Sequence, residues 1–117
     1  REKFKVYLIK FFSCVEKREI FVLLNRTFKK LDRIDTRNNP KENINIYHEI
    51  AEAYRSIGNY DQAIKYFQLE LHESEQANLH DDILYCYRFL AECYLYKNQF
   101  TISEKYHLKF LTLAKTY

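Results

Sequence analysis

The chain of 117 residues has one glycine, one proline, no methionine and no tryptophan, where average usage would give roughly eight glycines and about six prolines. So little turn-forming material excludes the many-turned sandwiches and barrels. It also excludes the glycine-built phosphate cradles of Rossmann and P-loop folds, because Gly58 stands alone. The lack of methionine, initiator included, predicts an internal piece of a longer protein. Cysteine is sparse and odd in number. Cys14, Cys86 and Cys93 fit neither zinc-module nor thioredoxin-type spacing, which predicts buried reduced thiols in a reducing, intracellular compartment. No uncharged apolar run approaches the roughly 18 residues of a membrane span. The apolar stretch 6–15 is interrupted by Lys10 and has no cleavage site after it, so it predicts a buried helix rather than a signal peptide.

What is present is a globular balance of 47% hydrophobic and 30% charged residues, with 11 Tyr and 9 Phe to fill a core. The length suits one domain. A net charge of +3 hides an asymmetry: residues 1–43 hold 12 Lys/Arg against 6 Asp/Glu, and the remaining 74 hold 7 against 10. The basic charges are interleaved with apolar residues, as on the wet face of a helix. Direct nucleic-acid contact through this segment stays open as an alternative.

From Ile44 onward, Tyr47, Ile50, Ala51, Tyr54 and Ile57 recur at helical spacing. Asn43 or a neighbour is expected to cap this helix after Pro40, and Gly58-Asn59 to end it. A second helix is expected from Asp61 as N-cap, burying Ala63, Ile64, Phe67 and Leu71. Residues 76–82 read as a polar connection, with Asp81 or Asp82 capping the next helix. A shift of forty residues then superposes the chain on itself: Tyr47 on Tyr87, Ile50 on Leu90, Ala51 on Ala91, Glu52 on Glu92, Tyr54 on Tyr94, Tyr66 on Tyr106. Two like helical hairpins are predicted, spanning about 43–80 and 81–117. Residues 1–42 fit this frame poorly but contain two amphipathic stretches, 3–15 and 19–35. The second carries Ile20, Leu23, Leu24, Thr27, Phe28 and Leu31 on one face, and the segment is expected to be a degenerate hairpin or N-terminal cap.

Within each unit the spacing resembles the tetratricopeptide repeat, whose W-x2-L-G-x2-Y…A-x3-F frame stands here as Tyr47, Ile50, Ala51, Tyr54, Ala63 and Phe67. In the second unit it stands as Tyr87, Leu90, Ala91, Tyr94, Ser103 and His107. The departures are Tyr for Trp, Ala for Gly, Ser103 for Ala, His107 for Phe, and no terminal Pro. The resemblance implies an all-α fold of antiparallel hairpins stacked as a solenoid fragment, with His107 packed in the core. The period of forty, longer than the usual 34, is expected to lengthen the second helix and the connection. Among long-period members the chain is most similar to the Tonsoku-like proteins, through Ala51-Glu52, Ala91-Glu92, Arg88 and the ending Phe110 to Ala114. The Partner-of-Inscuteable type is the second choice, lacking its Asn-Leu-Gly. The first kinship implies a nuclear scaffold in genome maintenance, the second a cytoplasmic one.

No catalytic constellation is visible. His48-Glu49 and His72-Glu73 begin like a zinc-protease motif, but Glu52 and Gln76 stand where its second histidine belongs. The chain is therefore read as a non-enzyme without cofactor or metal. The resemblance implies a concave groove lined by first helices, whose matching positions are Asn45, His48, Glu52 and Arg55, then Tyr85, Arg88, Glu92 and Tyr96. Exposed Tyr beside Arg suits interface hot spots. A peptide or helix of another protein is the expected partner. The alternative is a spacer or oligomerisation repeat that docks through Leu108, Leu111 and Ala114, and further repeats are expected to stack on that C-terminal end.

Overall fold

The computed structural model describes residues 18–30 and 39–116, and all regular structure among them is helical. The elements are α1 (helical residues 18–30), α2 (Pro40–Ser56), α3 (Tyr60–Gln76), α4 (His80–Tyr96) and α5 (Phe100–Thr116). Helices α2 to α5 are each 17 residues long and begin at positions 40, 60, 80 and 100. Each packs on the next.

One turn, used three times, produces this regularity. Its middle residue takes a left-handed conformation, with φ of 81° at Gly58, 54° at Asn78 and 62° at Asn98. The N–H of that residue bonds back to Arg55, Glu75 or Leu95, and the next N–H to Tyr54, Ser74 or Tyr94. These are the two backbone bonds of a Schellman helix end. Asparagine tolerates left-handed φ better than other side-chain-bearing residues, so a single glycine suffices for three tight turns. The carbonyls of Asn59, Leu79 and Gln99 then accept from Ala63, Ile83 and Ser103 to open the next helix.

The ends differ from the sequence expectation in detail. The N-caps of α2 and α3 are Asn39 and Asn59, whose side chains accept from the N–H of Glu42 and Gln62. Asn43 lies buried inside α2, and Asp61, Asp81 and Asp82 fall within first turns, where a carboxylate meets the positive end of the helix dipole. Leu79 stands at the N-cap of α4 without a side-chain bond. The expected connection 76–82 therefore contracts to 77–79, because His80, Asp81 and Asp82 are polar for a helix start rather than for a loop. Both helices of each hairpin are long, so the surplus is not confined to the second helix and connection.

The two hairpins repeat in three dimensions. Tyr47 meets Tyr66 at 6.3 Å and 39°, and Tyr87 meets Tyr106 at 6.3 Å and 40°. Tyr54 stacks on Tyr66 at 6.0 Å, and Tyr94 on Tyr106 at 5.7 Å. Ala51 and Ala91 are both buried, as small residues must be where antiparallel helices approach closely. Where the first hairpin has Ala63, the second has Ser103, whose hydroxyl donates to the Ala91 carbonyl at 2.6 Å. The extra polar atom is thereby satisfied in place.

His107 departs from expectation. It occupies the place of the fully buried Phe67, yet it is exposed and stacks only on Phe110. Phe67 is covered because α4 lies against it, whereas no described element covers the outer face of α5. At the other end Leu24 joins Ile46, Ile50 and Ala53 in a second cluster, flanked by Ile20 and Phe28. Leu24, Ile50 and Ala53 stand forty residues before Ile64, Leu90 and Cys93 of the main cluster. Leu23, expected on that face, is 42% exposed. The expected helix 3–15, Leu31 and Cys14 lie outside the described residues.

Candidate functional site

The stripe of side chains expected to face a partner runs along α2 as Asn45, His48, Glu52 and Arg55, and along α4 as Tyr85, Arg88, Glu92 and Tyr96. The two helices approach each other across α3. Four of the side chains, His48, Arg55, Tyr85 and Arg88, gather around Phe89, a residue the expectation omitted. Its ring stacks on Phe67 of α3 at 5.3 Å and on Tyr85 at 6.3 Å, with the His48 ring 6.1 Å away. The guanidinium groups of Arg55 and Arg88 lie 5.2 and 6.0 Å from its centroid. Such placement draws on the negative face of the ring.

Arg55 bridges the helices, donating to Glu52 on its own helix at 2.8 Å and to Glu92 on α4 at 3.4 Å. The hydrogen bond donated to Glu52, with the fields of Glu52 and Glu92, holds the guanidinium above its usual pKa against partial burial. All three groups keep contact with water, so the network contributes little to stability and serves to fix the approach of α2 to α4. Tyr96 stands apart, stacked on Tyr60 at 5.2 Å and 57% exposed at the last residue of α4.

Beside Phe89 opens a cleft of about 300 Å³ lined by Asn45, His48, Glu70, Asp82, Tyr85 and Phe89. Glu70 is 1% exposed. Its Oε1 lies 3.0 Å from His48 Nδ1, and its Oε2 is buried with no hydrogen-bond partner. Burial pushes the Glu70 carboxyl above its ordinary value of 4.5, against the pull of His48 and the neighbouring Cys86 thiol. His48 is raised above 6.5, chiefly by its hydrogen bond to Glu70, with burial opposing and the charges of Glu70, Glu52 and Asp82 assisting.

Both groups hold a proton more tightly folded than unfolded, so stability falls as pH rises. The His48 contribution is complete below 6.5 and is lost as pH climbs through the higher folded value. The cost of the buried Glu70 carboxylate develops as pH rises above 4.5. The expected result is a melting temperature that declines from about pH 6 to about pH 8, with a shallower decline in His48→Gln. Thermal melts across that range check it; equal slopes in the two proteins would contradict the assignment.

Two residues of the candidate site, Phe89 and Glu70, are absent from the sequence expectation, and each left a trace. Phe89 falls four residues after Tyr85 and three before Glu92, on the same face, but its counterpart in the first unit is the exposed Glu49. Glu70 completes the buried stripe Ala63, Phe67, Glu70 and Ser74 of α3. A carboxylate at helical spacing among core positions is a readable signal, and the adjacent Leu71, expected to be buried, is only partly so.

Cys86 and Cys93 are buried and free. Burial holds both thiols well above their usual pKa, Cys93 at about 12, which makes them poor nucleophiles. Among the described residues no group of three His, Cys, Asp or Glu is placed to hold a metal ion, and no helix is long and apolar enough to cross a membrane.

The family model described as tetratricopeptide repeat matches residues 42–116. No curated protein and no solved structure matches the chain.

Proposed function

The chain belongs to the tetratricopeptide repeat family, whose repeats generally mediate protein–protein interactions, and we propose that its α2–α4 face binds a peptide or helix of a partner protein. The observation that carries the reading is the Phe89 cluster, where an aromatic ring is bordered by two arginines, a histidine and a half-exposed tyrosine drawn from both first helices. Aromatic and arginine anchors dominate binding energy at protein interfaces. The work of the segment is recognition, without chemistry of its own and without a cofactor. Residues 1–42 serve as a degenerate repeat or cap, in support of which Leu24 and Thr27 are buried. The Ala-Glu pairs and the Phe110 to Ala114 ending favour an intracellular scaffold of the Tonsoku-like kind, nuclear and serving genome maintenance. Ankyrin-like units elsewhere in the parent chain would support that kinship.

Arg88→Ala combined with Tyr96→Ala is expected to weaken a verified partner by at least about tenfold. Both residues are exposed, so the melting temperature is expected to move by no more than a few degrees. Calorimetric titration and thermal melts of the same samples measure the two effects. Unchanged affinity would overturn the groove assignment.

A second reading draws on the outer face of α5, where Phe100, Leu108 and Leu111 are 61%, 55% and 41% exposed. Such a face favours a spacer role, or stacking of further repeats of the parent chain. Sedimentation of the 117-residue chain as a clean monomer that binds no hydrophobic dye would count against it.

A further inference from the structure

Arg55 provides an internal example of how this surface holds a cation: a guanidinium over the Phe89 ring, with carboxylates at its edge. The cleft on the other side of Phe89 repeats those components with no lysine or arginine in its wall. Its lining is Asn45, His48, Glu70, Asp82, Tyr85 and Phe89. The Tyr85 and Phe89 rings lie within 13° of parallel and offer a flat apolar wall. Asp82 reaches the cleft from the first turn of α4, and Tyr85 is 52% exposed. At the base lies Glu70, whose Oε2 lacks a hydrogen-bond partner although the residue is 99% buried, the complement of its 1% exposure. An unpartnered carboxylate oxygen in such a place is costly unless a donor arrives. His48 meets only the other oxygen.

We propose that the cleft between α2 and α4 receives the side-chain cation of a partner peptide, arginine before lysine, with Asp82 and Glu70 supplying the negative charge and Tyr85 and Phe89 the aromatic wall. The inference rests on the reading of the α2–α4 face as a peptide groove and names the anchor that the groove selects. Arginine is favoured because its planar guanidinium stacks on aromatic faces and offers several donors in a fixed fork. A cation placed there also brings an opposite charge to the Glu70 carboxylate, whose neighbours are His48 and the Cys86 thiol, and to Asp82 in the cleft wall.

Panning a random-peptide display library on the complete 117-residue chain tests this. The expected outcome is a family of binders sharing one arginine or lysine at a fixed position. Replacing that residue by norleucine in the synthetic peptide is expected to weaken binding about tenfold. Glu70→Gln, which keeps the shape of the side chain, and Asp82→Asn, which lies nearer the rim, are each expected to reduce that penalty. Should Glu70→Gln fail to fold, Asp82→Asn and Tyr85→Ala carry the test. Binders that are displaced by Arg88→Ala with Tyr96→Ala, but need no basic residue, would overturn the inference and leave the groove intact. Binders indifferent to those two substitutions, or no binders at all, would overturn both.

Discussion

Phe67→Ala is expected to destabilise the chain by about 3–5 kcal/mol, the cost of deleting a fully buried aromatic side chain and leaving a cavity. Phe67 is 0% exposed and joins Ala51, Ala63, Ile64, Leu90 and Cys93 in the main cluster, so it binds the first hairpin to the second. It also supports the Phe89 ring from beneath at 5.3 Å. A domain of this size has roughly 5–15 kcal/mol in total, so the variant should lose a large fraction of its margin. The repeat provides an internal control: His107 holds the same position in the second hairpin but is exposed, and His107→Ala should stay within about 0.5 kcal/mol of wild type. Denaturant titration with unchanged slope measures both. Equal effects at the two positions would mean that α4 does not cover α3 as described.

Ala51→Leu is the second large effect, an expected loss of about 1–3 kcal/mol from overpacking. Ala51 is 0% exposed and shares its cluster with Ala63 of α3, also 0% exposed. Added methylenes have no space there, and the helices must separate or the leucine must leave its preferred rotamer. Ala114→Leu, on the exposed side of α5, adds the same atoms without that conflict and should be nearly neutral. Comparison of the two midpoints separates crowding from helix propensity, since both sites are helical. A stable Ala51→Leu protein would show that α2 and α3 do not meet at this alanine.

Much of the architecture was legible because its signal is periodic. The forty-residue superposition of Tyr47 on Tyr87 and Tyr66 on Tyr106 became matching ring contacts, since a repeated apolar frame has one way to bury itself. Boundaries were less legible. Asp61, Asp81 and Asp82 look like caps, but the positive-φ residues Gly58, Asn78 and Asn98 and their backbone bonds set where each helix ends. Asn78 lies within a stretch whose polarity suggested a longer loop. His107 was assigned to the core by its frame position, whereas its burial depends on a neighbouring helix, which a frame cannot supply.

The candidate site was readable as a stripe but not as a cluster. Asn45, His48, Glu52, Arg55, Tyr85, Arg88 and Glu92 come from matching the tetratricopeptide frame, and helical spacing makes each set one stripe. The meeting of His48, Arg55, Tyr85 and Arg88 around Phe89, and the link from His48 to Glu70 twenty-two residues away, depend on how α2, α3 and α4 cross. No single-helix periodicity contains that information. Tyr96 has the spacing of the stripe but is drawn to Tyr60 by ring stacking.

The direct measurement is the set of proton–proton Overhauser contacts made by the Phe89 ring in solution. Side-by-side packing of α2 and α4 over α3 predicts contacts to the His48 ring and the Arg55 side chain from α2, together with Phe67 from α3. A Phe89 ring that contacts only protons of α4 and α5 would contradict it.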